Sequence, residues 1–361
     1  MYLRLFILAI AFASVFSSGC NSCNKPKPPI IDDEFFAIEG LSDGSTLVIG
    51  QSAEIKIKHT NSNFKIDSVI IAAAGFPNFV IIDAPFSHTL KAEGKVGNRN
   101  LAITVFYNNG KSQSKNILVS FLSDIVPVQM AKTVVNTYDH PKGLFTEGFV
   151  YQNGFIYEGT GLEGQSQLVQ YSLATGKIEK KIDIPAQYFG EGIALYDDKI
   201  VQLTWKNGIA FLYNQNDFSK LSEIRYGREG WGITYSGNEL LASDGSNAIY
   251  FLNPLDLTEN RRISVCDNKG PVANLNELEL IEGVLYANIW QTDKIACIDT
   301  ASGKVLSYID CGMLLSQLDL DAIPEIDVLN GIAYDSLRKR ILVTGKNWPR
   351  IYEIRLSNKA I

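Results

Sequence analysis

Apolar and polar residues alternate along most of this chain in short runs, separated by stretches rich in Gly, Asn and Asp. Period-two alternation over four to eight residues is the pattern of half-buried β-strands, and the polar stretches between read as turns. Between Phe35 and Ser123 the runs are Thr46–Ile49, Ala53–Lys58, Ser68–Ile71, Leu101–Tyr107 and Asn116–Phe121, with turn signals at Asp43-Gly44 and Asn108-Asn109-Gly110. About 90 residues of such segments predict an immunoglobulin-like β-sandwich over 34–124.

From Leu144 to Leu356 a longer pattern is superposed on the alternation. Its clearest copy is Tyr188-Phe189-Gly190-Glu191-Gly192, a carboxylate between glycines ahead of the strand-forming run Ile193-Ala194-Leu195. Related markers are Glu147-Gly148, Trp231-Gly232, Asn276-Glu277 and Asn330-Gly331. A spacing of roughly 45 residues is that of a radial repeat. After Glu191 the order is strand, turn, strand, turn, strand, turn, strand: Gly192–Tyr196, Lys199–Trp205, Ile209–Tyr213 and Leu221–Tyr226. The fifth copy stops after three strands. The apolar run Lys132–Tyr138 is expected to complete it and close the ring, which removes the free edges of a linear array. The expected fold is all-β: a five-bladed β-propeller over 126–361, preceded by the sandwich.

In a propeller the first strand of each blade lines the central channel. The markers Glu147, Glu191, Trp231, Asn276 and Asn330 are therefore expected at one mouth. Ends of second strands add Glu158, Trp205, Asp244, Trp290 and Lys346. All four tryptophans (Trp205, Trp231, Trp290, Trp348) fall at strand ends, which suggests a pocket with aromatic walls and a few polar groups. Glu191 is the candidate acid/base, since a carboxyl walled by Trp and Phe is desolvated and held nearer to neutral pH. Lys346 and Asn276 are candidate donors to a developing oxyanion.

Composition narrows the chemistry. The chain has 361 residues, enough for two domains, with 46% hydrophobic content and a net charge of −6. The acidic balance and the absence of a basic stripe argue against nucleic acid as a partner. Of the three histidines, His59 and His88 precede the repeats and read as surface or packing residues, and His140 lies just before the first copy. That leaves no Ser-His-Asp triad or multi-His zinc site in the repeats. Cys297 and Cys311 lie on candidate strands and read as buried free thiols. Whether Cys266 pairs with either is open, because connectivity is not readable from sequence.

The N-terminus reads as targeting, not structure. Arg4 precedes the apolar run Leu5–Phe16, too short to span a bilayer, and Ser17-Ser18-Gly19-Cys20 resembles the lipobox of bacterial lipoproteins. Residues 1–19 are thus an expected lipoprotein signal, with Cys20 the acylated residue and Asn21–Pro29 in a polar, Pro-rich tether over 20–33. The expected location is the cell envelope, exported and held on a membrane by the lipid.

The repeat region also resembles the plant-type glutaminyl-peptide cyclotransferases. The residues that carry the resemblance are Phe145-Thr146-Glu147-Gly148, Gly161–Ser166, Phe189–Gly192, Leu203–Lys206, Glu229–Gly232, Leu275–Glu279, Ala287–Gln291, Leu329–Tyr334 and Thr344–Pro349, in order. The resemblance implies a five-bladed propeller that converts the N-terminal glutamine of a peptide or protein to pyroglutamate with release of ammonia, using no cofactor and no catalytic metal. It implies Glu191 as proton shuttle, with Asn276 and Lys346 beside it. Phe145, Phe189, Trp231 and Trp290 would contact the substrate. Glu147 stands where the family usually has Gln. Two other readings of the same mouth remain open: a propeller that only binds a peptide or cell-wall fragment, and a metal-assisted lactonase-type propeller with Glu147, Glu191, Asn276 and Asn330 as ligands.

Overall fold

The computed structural model describes residues 35–358, apart from 61, 62, 109, 317 and 319–324. The expected export signal, Cys20 and the tether lie outside the described residues. Every strand or helix assigned among the described residues is a β-strand.

The N-terminal unit holds two sheets. One has the order Phe36–Glu39, Ser52–His59, Ser87–Lys91. The other runs Ser45–Val48, Lys111–Leu122, Gly97–Tyr107, Ile66–Ala73, Phe79–Ile81. Alternation points Ile55, Ile57, Val69, Ile71, Ile103, Val105, Val119 and Phe121 into a shared core. The sequence pattern missed the shorter strands for physical reasons. Ser87–Lys91 buries only Leu90, so it has no visible alternation, and Phe79–Ile81 is a short edge piece between Pro77 and Pro85. His59 is exposed, and His88 lies on Phe79 with ring centroids 3.8 Å apart.

The remaining strands form a ring. Three antiparallel four-stranded sheets follow one another between Thr146 and Ser264, the first being Thr146–Gln152, Phe155–Thr160, Gln167–Ser172, Ile178–Asp183. An eight-stranded sheet completes the circle, with Leu275–Ile281, Val284–Ile289, Lys294–Asp299 and Val305–Asp310 on one side. Its other side is Leu329–Asp335, Arg340–Gly345 and Arg350–Asn358, closed by Val128–Asp139. This closing strand pairs antiparallel with the last strand, Ile351 opposite Tyr138 and Leu356 opposite Lys132. It starts earlier than expected, and Val128, Gln129 and Met130 pair in parallel with Ser307, Tyr308 and Ile309. That pairing satisfies backbone groups a shorter strand would leave at a free edge.

The innermost strands touch in cyclic order: Thr146–Gln152, Gly190–Tyr196, Ile233–Tyr235, Leu275–Ile281, Leu329–Asp335 and back to the first. The marker glycines make this convergence possible. A Cβ on Gly148, Gly192 or Gly232 would lie 2.3 Å from Ile193 N, 2.5 Å from Trp231 O and 2.1 Å from Asn276 O respectively. At these three junctions one inner strand is thus pressed backbone to backbone against the next, where any side chain would separate them.

The two units meet away from this axis. Val96 N donates to Ser302 O (3.0 Å), Ser123 N to Asp267 O (3.2 Å), and Lys304 Nζ lies 2.6 Å from Asp124 Oδ1. The thiols of Cys266, Cys297 and Cys311 are buried and free.

Candidate active site

Four of the five inner strands begin with a register shift, between Thr146 and Gly148, Gly190 and Ile193, Leu275 and Leu278, and Leu329 and Ile332. These bulges contain Glu147, Glu191, Asn276 with Glu277, and Asn330. A β-bulge breaks the in-out alternation and re-aims a side chain. Here it turns the marker residues off the sheet faces and toward the axis.

The result is a cavity of about 230 Å³ lined by Phe145, Glu147, Phe189, Glu191, Trp205, Trp231, Asn276, Trp290, Asp327 and Lys346. The aromatic side is built from edge-to-face contacts. Trp231 and Trp290 meet at 89° with centroids 5.6 Å apart, Phe189 and Trp205 are also 5.6 Å apart, and Phe145 and Phe189 meet at 87°. One oxygen of Glu229 orients two walls, accepting Trp205 Nε1–H at 3.1 Å and Trp231 Nε1–H at 3.3 Å.

The polar side is more deeply set. Glu147 is 1% exposed, Asn276 3%, Glu191 and Lys346 6% each. Lys346 Nζ donates to Glu147 Oε1 at 2.6 Å and lies 4.7 Å above the Phe145 ring. Asn330 Nδ2 donates to the other Glu147 oxygen at 3.2 Å and to Thr146 O at 2.9 Å. Burial raises the Glu147 carboxyl to about 7, against the opposing pull of Lys346. Burial and then the charge of Glu147 hold Glu191 well above the ordinary carboxylate range. Asn276 Oδ1 is buried with no hydrogen-bond partner in the protein. Such a neighbouring pair of acids, pushed upward and facing a cleft, can hold and pass one proton near neutral pH.

Nine residues expected at the mouth, Phe145, Glu147, Phe189, Glu191, Trp205, Trp231, Asn276, Trp290 and Lys346, thus line a single cavity. Four other residues expected at the mouth do not line it. Glu158 lies beneath, accepting from His140, Thr146 and Tyr171. Asp244 turns to Ser246 and Tyr250. Asn330 supports Glu147 from below. Trp348 is 3% exposed, its indole N–H bonded to Asp327 O at 2.8 Å, so it is a packing residue. Two contributors escaped the sequence reading. Asp327 follows no repeat position. Glu229 stands two residues before its marker, as Phe145 and Phe189 do before theirs, and that spacing could have revealed it.

Further along the axis, Glu277 accepts Ile332 N–H at 2.7 Å and Glu279 accepts Tyr334 N–H at 3.0 Å. Burial raises both carboxyls, Glu279 to about 8. They hold neighbouring inner strands together. No set of three His, Cys, Asp or Glu side chains that could hold a metal ion occurs among the described residues.

A closed ring of β-sheets with an aromatic-walled pair of carboxyls at one end of its axis defines a propeller-like protein with the makings of an acid–base site. The chain belongs to the glutamine cyclotransferase family, whose model matches residues 106–356. It is 37% identical over 229 residues to a glutaminyl-peptide cyclotransferase of Arabidopsis thaliana, a match spanning 62% of this chain and 70% of the plant protein. The crystal structure of the Myxococcus xanthus glutaminyl cyclase aligns with a TM-score of 0.60 at 34% identity, over 65% of this chain and all of that one.

Proposed function

We propose that this protein is a glutaminyl-peptide cyclotransferase in which Glu191 is the proton shuttle. The observation that carries this reading is the convergence of nine expected residues, drawn from all five repeats, on one cavity. Family membership supports the same activity.

The substrate's α-amine attacks its own γ-carboxamide carbon. A C–N bond closes the five-membered ring, and the amide nitrogen leaves as ammonia. Because the reaction is intramolecular, the protein's task is to hold the folded-back side chain and move one proton. Trp231, Trp290, Phe189 and Phe145 clamp the chain and exclude water. Glu191 takes the proton from the attacking amine and returns it to the leaving nitrogen. Lys346 stabilises the tetrahedral oxyanion. Asn276, with its unpartnered Oδ1, orients the substrate's N–H groups. Glu147 holds Lys346 in place and, as an acid beside an acid, raises the pH at which Glu191 becomes a base.

The same reading takes the ring as five blades and the N-terminal unit as an immunoglobulin-like sandwich, with a boundary near residue 125. It places the enzyme in the bacterial cell envelope, exported and anchored to a membrane by acylated Cys20. Labelling with a fatty acid that Cys20→Ala abolishes would support the anchor, and unchanged labelling would refute it.

A peptide with N-terminal Gln should lose one ammonia in the presence of the protein, read by mass. The same peptide with N-terminal Asn, too short to close the ring, or with its amine acetylated, should not. Equal loss from all three, or none from the Gln peptide, would overturn the assignment.

A further inference from the structure

Beneath the pocket lies a second buried charge cluster, which the chemistry above does not use. His140 directly follows the ring-closing strand and is 4% exposed. Its Nδ1 lies 2.6 Å from the carbonyl oxygen of Trp348, and its Nε2 lies 3.0 Å from Glu158 Oε2. Glu158 also accepts the Tyr171 hydroxyl on Oε2 and the Thr146 hydroxyl on Oε1, each at 2.8 Å. The side chains of His140 and Glu158 are fully buried.

The proton count follows from the partners. A backbone carbonyl only accepts, so Nδ1 carries a hydrogen. On the other side, three donors converge on one carboxylate, an arrangement that favours the anion. Nε2 therefore donates as well, and the ring is an imidazolium. Burial opposes the charge, but attraction and hydrogen bonding to Glu158 outweigh it and raise the His140 pKa. Tyr171, the other titratable group facing the pair, stays a donor because burial and Glu158 raise it far above its ordinary value.

What this ion pair joins is specific. Thr146 sits between Phe145 and Glu147, and its hydroxyl is also 3.2 Å from Gly345 O. Gly345 and Trp348 bracket Lys346. His140 N donates to Pro349 O at 3.1 Å, and Asn347 N to Leu144 O at 2.9 Å. The cluster therefore ties segment 144–147 to segment 345–349, the two pieces of chain that meet in the pocket as the Glu147–Lys346 pair. We infer that His140 is a positioning residue for the reaction: an imidazolium that, through Glu158 and Thr146, sets the spacing between the segments carrying Glu147 and Lys346. This rests on the pocket being the cyclotransferase site, but the charge state of His140 does not.

Nitrogen-15 NMR of the histidine rings in the full chain, without substrate, should show two ring N–H groups on His140 at neutral pH. In Glu158→Gln the ring should keep one. At a temperature where circular dichroism shows that variant folded, kcat for a Gln peptide should fall about ten- to a hundredfold, as expected for a small displacement of reacting groups. Thr146→Val, which keeps the side-chain shape and deletes one hydrogen bond, should shift kcat in the same direction by less. A merely structural role would lower the melting temperature and leave kcat alone. A single N–H in the wild type, or wild-type kcat in both folded variants, would overturn the inference. Absence of ammonia release by the wild type would instead overturn the functional reading, and the positioning role with it.

Discussion

Among the described residues from 35 to 122, the fully buried side chains are aliphatic or aromatic: Ile55, Val69, Ile103, Phe121 and their neighbours. From residue 140 onward the buried set includes His140, Glu147, Glu158, Glu191, Asn276, Glu277, Asn330 and Lys346. Both units are twisted β-sheets made from alternating runs, so architecture does not account for the contrast. Burying an ionised group is unfavourable by several kcal/mol unless it is paired. The N-terminal unit avoids that penalty entirely. The ring accepts it repeatedly, pairing His140 with Glu158 and Lys346 with Glu147, while Asn276 Oδ1 is left without a partner in the protein. Buried polarity in this molecule therefore marks both the candidate site and the joints between strands that support it.

Four substitutions test that contrast, in descending order of effect on rate. Glu191→Gln should reduce ammonia release roughly 10³-fold, the scale of a lost general acid–base, with little change in melting temperature. Lys346→Met should reduce kcat on the order of 10²–10³-fold as an oxyanion donor is lost, in steady-state kinetics with a Gln peptide. It also leaves the Glu147 carboxyl without its cation, so the melting temperature should fall most at high pH.

Glu147→Gln should act mainly on the pH dependence. The Glu147 carboxyl titrates at about 7 in the fold against 4.5 for an ordinary exposed glutamate, so the fold favours its protonated form. Its contribution to stability is complete below 4.5 and is lost as pH rises through about 7. Glu147→Gln should flatten the fall in melting temperature across that window. The same change removes a negative charge beside Glu191, which lowers the Glu191 pKa. The acidic limb of kcat/KM should move to lower pH. The smallest effect on rate belongs to Ile103→Ala in the core of the N-terminal unit. It should destabilise that unit by about 2–5 kcal/mol, read by denaturant unfolding, and leave kcat unchanged. A large loss of kcat there would break the division of labour between the two units.

Much of this was legible beforehand because repetition amplifies weak local signals. The inner strands, the closing strand and the pocket residues Glu147, Glu191, Trp231 and Asn276 follow from one marker seen several times, Trp290 and Lys346 from the ends of second strands, and Phe145 and Phe189 from the family resemblance. What escaped depends on depth, which alternation does not encode. Trp348 and Trp290 both end strands, yet one indole is sealed against Asp327 O while the other faces the cavity. Glu158 pairs opposite Phe149 on the neighbouring strand, one layer below the bulge that turns Glu147 into the pocket. His140 carried no motif at all. Its role rests on residues 140–171 meeting segment 345–349, distant in sequence, which happens only when the ring closes.

The central claim is that Glu191 moves the proton in this pocket. The most direct measurement is single-turnover ammonia release from a short Gln-terminated peptide across pH, wild type beside Glu191→Gln. The account predicts wild-type release with an acidic limb shifted well above the ordinary carboxylate range, and a variant that is folded, binds the peptide and releases almost nothing at any pH. Release by the variant at the wild-type rate, with the same pH profile, would contradict it.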